Sequence, residues 1–84
     1  MQPINLRIQF LDGSEKQVVA VAADLVAFEQ HFDVSITRLS QDVRLSYLFF
    51  ICHHVLVRTG ETSEPFEKWM ESVVGVTFED DQKK

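Results

Sequence analysis

The chain has 84 residues, 45% of them hydrophobic and 25% charged, which suits one compact core burying roughly 60% of the unfolded surface and leaves no room for a second domain. Eight Lys and Arg against 13 Asp and Glu give a net charge of -5, and with the basic residues scattered this argues against nucleic acid and anionic membrane surfaces as partners. Cys52 is the only cysteine, so an internal disulfide and a thiolate zinc site are excluded and a reducing cytosol fits.

Over residues 4–10 the apolar side chains Ile4, Leu6, Ile8 and Phe10 alternate with Asn5, Arg7 and Gln9, the period of a strand with one buried face. Asp12-Gly13 then supplies the positive backbone angles of a tight turn, and residues 17–21 return as the partner strand of a hairpin spanning 4–21. A two-residue loop pairs Leu6 with Val19 and Ile4 with Val21; a four-residue loop pairs Ile8 with Val19 and Leu6 with Val21. Both put Val19 and Val21 on the apolar face. Two strands are marginal in water, so that face must be covered by the rest of the chain or by another subunit.

Asp24 precedes the stripe Leu25, Phe28, Phe32 and is placed to accept free amides at the start of a helix of about two turns. Ser35 can cap a short turn that buries Ile36 and Leu39, and Ser40-Gln41-Asp42 is a second start signal, which predicts a third helix from near Gln41. From Val43 to Val57 that helix is apolar around most of its circumference, as expected of a central helix packed on several sides. Its most apolar stretch, residues 45–57, contains His53 and His54 and falls short of the roughly 20 residues needed to span a bilayer.

Arg58 suits the negative end of the helix dipole, and Gly60 suits a left-handed position past it. Ser63 can cap a last helix with Pro65 in its first turn, Phe66, Trp69, Met70 and Val73 as its buried stripe, and Gly75 as its breaker. Residues 76–78 then fit a short third strand on the hairpin's edge, followed by a frayed charged tail over 79–84. The expected fold is α+β: one domain over 1–84, with an N-terminal β-hairpin, three to four helices within 24–73 around the central apolar helix, and a short C-terminal strand. The N-terminus carries no evident export segment.

Chemistry-bearing residues are sparse. Cys52, His53 and His54 are consecutive, and neighbours on a helix point about 100° apart, so they cannot close on one metal ion. Inside so apolar a run Cys52 should be an inert buried thiol. Glu67 and Glu71 read as a solvated helix face, and the glycines at 13, 60 and 75 stand too far apart for a phosphate loop. The sequence therefore points to no catalytic, cofactor-binding or metal-binding residue, to no small-molecule substrate and to no enzyme activity. The informative feature is seven Phe with Trp69 and Tyr47 in so short a chain. Some of Phe32, Phe49, Phe50, Phe66, Trp69 and Phe78 are expected at the surface, marking a contact site.

Three segments in order, Phe28-Glu29-Gln30-His31-Phe32, Arg58-Thr59-Gly60 and Pro65-Phe66-Glu67-Lys68-Trp69, resemble the small tail assembly chaperones of long-tailed, siphovirus-type bacteriophages. The resemblance covers roughly residues 23–76 with the hairpin before them. Where such proteins commonly carry a tryptophan or small residues in the middle of the central helix, this chain has Phe50-Ile51-Cys52-His53. The resemblance implies a non-enzymatic protein that binds the tape measure protein, with the major tail protein as a further partner, and keeps it soluble during tail tube assembly. It also implies action in the cytoplasm of the infected bacterial host and absence from the mature virion. Helix-in-groove recognition would then use an apolar groove lined by Phe49, Phe66, Trp69 and Met70. The unpaired hairpin edge permits a homo-oligomer. The competing readings are a small structural virion component or head-tail or tail adaptor, and an acidic protein inhibitor of a host enzyme.

Overall fold

A computed structural model describes residues 4–42 and 44–79. Strands β1 (Ile4–Phe10), β2 (Glu15–Ala20) and β3 (Val73–Phe78) form one antiparallel sheet in the order β2-β1-β3, and the helices Ala22–Phe32 and Leu45–Arg58 pack against it in an α+β arrangement. Val43 and the part of the expected tail beyond Glu79 lie outside the described residues.

The hairpin turn decides which residues enter the core. Phe10 N–H donates to the Ser14 carbonyl at 2.9 Å, Gly13 N–H donates to the Phe10 carbonyl at 3.0 Å, and Gly13 has φ +90°. The loop therefore holds three residues, Leu11, Asp12 and Gly13, with Gly13 taking the left-handed position that such loops require. This corrects the expected registers. Two- and four-residue loops share one parity and a three-residue loop has the other, so every side chain of β2 reverses face. Leu6 pairs with Val18 and Ile4 with Ala20. Val18 and Ala20 are buried, whereas Val19 is exposed and Val21 lies past the strand.

The inner sheet face presents Leu6, Ile8, Val18, Ala20 and Val76 to the core. The outer face carries Asn5, Arg7 and Gln17 beside the exposed Val19, and Arg7 on the middle strand reaches Glu15 of β2 and Glu79 just past β3. Its Nε and Nη2 donate to Glu79 at 2.7 and 2.9 Å, and its Nη1 donates to Glu15 at 3.0 Å. Lys16 of β2 pairs with Glu61 beyond the last turn of the long helix. These water-accessible pairs orient the sheet and each contribute little.

Helix α1 (Ala22–Phe32) starts two residues earlier than expected and runs for three turns. Val21 is its N-cap, so Asp24 is the third helical residue, where its Oδ2 accepts the Val21 N–H at 2.9 Å. After α1, Glu29 Oε2 accepts the Ile36 N–H at 2.6 Å and Ser35 Oγ accepts the Thr37 N–H at 3.2 Å, which folds the chain into the single turn α2 (Arg38–Gln41) with Leu39 buried. Gln41 therefore ends a helix instead of beginning one. Helix α3 (Leu45–Arg58) starts at Leu45, with Arg44 as its extended N-cap.

α3 packs against α1, α4, β2 and β3. It buries Tyr47, Leu48, Ile51, Cys52, Val55 and Leu56, while Leu45 and Val57 face solvent, so the apolar run is not enclosed on every side. α3 ends in a Schellman motif. Glu61 N–H donates to the Leu56 carbonyl at 2.8 Å and Gly60 N–H to the Val57 carbonyl at 3.1 Å, with Gly60 at φ +80°. A Cβ at Gly60 would meet nothing within 4 Å, so Gly60→Ala costs only backbone strain of about 1 kcal/mol. In a thermal melt the midpoint should fall by about 4–8 °C; an unchanged midpoint would mean the left-handed cap contributes nothing.

Helix α4 (Phe66–Met70) is shorter than its apolar stripe suggests. Pro65 is its N-cap, and Ser63 is exposed and does not cap it. The Ser72 N–H and Oγ both donate back to the Trp69 carbonyl, at 3.1 and 2.9 Å, and this closes the helix. The β-branched pair Val73-Val74 then opens β3. Val73 thus belongs to the sheet, and Gly75 sits opposite Gln9 within the strand instead of breaking a helix.

Candidate functional site

Three of the four residues expected to line a groove, Phe49, Phe66 and Trp69, meet where α3 packs on α4. Phe49 and His53, one turn apart on α3, face Phe66 and Trp69 on α4. The Trp69 ring lies 6.3 Å from Phe49, 6.3 Å from Phe66 and 5.3 Å from His53 between centroids, and His53 also lies 5.4 Å from Phe66. Met70 follows Phe66 by four positions on α4, and Phe49, Phe66 and Met70 are partly buried against the core. Trp69 itself is only 3% exposed. Its ring is the base of the cluster, and the reachable apolar surface is the seam of Phe49, Phe66 and Met70.

His53 fixes one wall of this seam. Its Nε2 lies 2.8 Å from the Glu64 carbonyl, and because a carbonyl can only accept, the imidazole donates there. That bond ties α3 to the segment leading into α4, a role not assigned from the sequence although Phe49 and His53 share helical spacing. A second aromatic cluster lies between α1 and α3. Phe28, Phe32 and Tyr47 have mutual centroid distances of 4.8 to 5.3 Å, and Phe50 stacks on His31 at 4.5 Å. Of the six aromatic residues expected to mark a surface, only Phe78 is exposed, at 49%, while Phe32, Phe49, Phe50 and Phe66 are partly buried.

A polar centre lies beneath the α1–α3 contact. Asp24 is wholly buried. Its Oδ1 accepts from His54 Nδ1 at 2.6 Å and Arg58 Nε at 3.0 Å, and its Oδ2 accepts from Arg58 Nη2 at 2.9 Å and from the Val21 amide. Burial alone would raise the carboxyl pKa. The Arg58, Val21 and His54 hydrogen bonds and the Arg58 charge outweigh it and hold the carboxyl below its ordinary range. His54 and Arg58 stand one turn apart on α3, so one face of that helix supplies both partners. Asp24 near a helix start and Arg58 at a helix end are both legible in the sequence, whereas their pairing is a tertiary contact.

Cys52 is fully buried, and burial pushes its thiol up to about 12. A thiol reagent added to the native protein should therefore label Cys52 only at the rate of unfolding, with full labelling in denaturant; rapid native labelling would contradict this placement. Among the described residues no three His, Cys, Asp or Glu side chains converge as metal ligands, and no helix is long and apolar enough to cross a membrane. Protein-family models, curated proteins and solved structures provide no match to this chain. The arrangement is a partly exposed apolar seam over the buried Trp69 ring.

Proposed function

We propose that the protein is a non-enzymatic binding protein that receives an apolar helix face along the α3–α4 seam. Following its resemblance to siphovirus tail assembly chaperones, we assign that helix to the tape measure protein, held soluble in the cytoplasm of the infected host until the tail tube forms. In this reading the N-terminal hairpin and α3 at the centre of the helical part are the scaffold that presents the seam. The observation that carries it is the placing of Phe49 and Phe66, each incompletely buried, against the buried Trp69 ring, with the partly buried Met70 beside Trp69 in sequence.

A surface built of large, weakly hydrated side chains on a fixed base loses little conformational entropy when a partner helix docks. The net charge of -5 keeps such a complex dispersed.

Trp69 is the only tryptophan and lies against the seam, so its fluorescence reports occupancy. Titration with a tryptophan-free, apolar helical segment of the tape measure protein should shift Trp69 emission, and Phe66→Ser should remove the response while leaving helix content intact. An unchanged spectrum across the titration of the wild-type protein would refute the proposal.

A further inference from the structure

The hairpin tip and the α4 region flank an open cleft of about 550 Å³ whose lining includes Phe10, Leu11, Asp12, Glu64, Lys68 and Glu71. This lies within the volume range of pockets that hold several side chains or a small ligand. Its composition is asymmetric: two large apolar side chains accompany three carboxylates and one ammonium group. Leu11 is 69% exposed at the first position of the three-residue loop, where turn geometry makes no demand for an apolar residue.

The walls are fixed before any ligand arrives. Leu11 N–H donates to the Ser72 carbonyl at 2.9 Å, which pins the hairpin tip to the chain just past α4. Asp12 Oδ1 accepts both the Ser14 N–H, at 2.9 Å, and the Ser14 hydroxyl, at 2.6 Å. These bonds also hold the Asp12 carboxyl below its ordinary range, so it is ionised at neutral pH.

We propose that this cleft binds a short peptide segment of another protein in which an apolar side chain is flanked by Lys or Arg. The apolar side chain would rest on Leu11 and Phe10, and the flanking cations would meet Asp12, Glu64 and Glu71. Charge complementarity selects this occupant: an acidic segment would face three carboxylates, and a purely polar one would leave Leu11 in water. The site does not depend on the α3–α4 seam, because it uses Lys68 and Glu71 of the α4 region and the hairpin tip instead of Phe66 and Met70.

The test is an NMR titration of the isotope-labelled full chain with the peptide acetyl-Gly-Lys-Leu-Phe-Lys-Gly-amide. Saturable amide shifts should appear at Leu11, Asp12, Lys68 and Glu71. The matched peptides with Ser-Ser for Leu-Phe, or with Glu for both Lys, should bind about tenfold more weakly or not at all. Leu11→Ser and Glu71→Lys alter exposed side chains and should each weaken binding of the first peptide about tenfold with an unchanged circular dichroism spectrum. Shifts confined to Phe49, Phe66 and Met70, equal affinity for the serine peptide, or no shift at millimolar peptide would each overturn the proposal.

Discussion

Asp24→Ala should destabilise the protein by about 3 kcal/mol in urea unfolding, a large part of the stability of a domain this size. The wild-type carboxylate is wholly buried and accepts four hydrogen bonds, from His54, twice from Arg58, and from the Val21 amide. Alanine leaves the Val21 N–H without its acceptor at the start of α1 and removes the charged link that joins the N-terminus of α1 to His54 and Arg58 of α3. The His54 and Arg58 side chains are about one third exposed, so water can recover part of their loss, which places the expected value at the lower end of the range for a broken buried pair. A change below about 1 kcal/mol would show that the cluster is energetically idle.

The same carboxylate gives a pH dependence of known sign. Its folded pKa is depressed, so its stabilising contribution is fully present above the unfolded value of about 3.9 and is lost as pH falls through the folded value. Glu79 beside Arg7 and Glu61 beside Lys16 are shifted the same way but are far more accessible to water than Asp24, and their share is correspondingly smaller. Unfolding followed from pH 7 downward should show stability falling below about pH 4, with a shallower fall in Asp24→Asn. Identical slopes for the two proteins would remove Asp24 as the source.

Trp69→Ala should cost about 3–5 kcal/mol, enough to unfold much of the population at room temperature. The indole is 3% exposed and is flanked by Phe49, His53 and Phe66. α4 has only five residues and is too short to persist without packing, so removing the ring both opens a cavity and frees the helix. Phe78→Ala, at a ring 49% exposed, should cost much less. Comparable losses for the two substitutions in parallel denaturation curves would contradict the assignment of Trp69 to the base of the seam.

What the sequence made legible follows the range of the interactions involved. Strict alternation from Ile4 to Phe10 names a strand because a period of two has no helical equivalent. Asp12-Gly13 marks the turn but suits loops of either parity, so the face of β2 depended on one residue of loop length that local propensity does not set. α3 starts later than Ser40-Gln41-Asp42 suggests, because the N-cap, Arg44, contributes only its extended backbone and no side-chain cap.

Long-range partners are harder still. Asp24 looks like an ordinary helix-start acid, and nothing beside it in sequence announces His54 and Arg58 thirty and thirty-four positions later. The spacing of His54 and Arg58 by four is a usable signal once a buried acid is suspected. For the seam, the i, i+3, i+4 spacing of Phe66, Trp69 and Met70 grouped these residues on one helix face, but the depth of each ring depends on how α4 lies on α3. Partition of the seven Phe between interior and surface was likewise a tertiary property.

The most direct measurement is the solubility of the tape measure protein co-expressed with this chain. Under the proposed function it should remain in the supernatant with the wild-type protein and pellet with a folded Phe66→Ser, Met70→Ser double variant. A tape measure protein that partitions identically with both, whether into supernatant or pellet, would contradict the claim that the α3–α4 seam holds it.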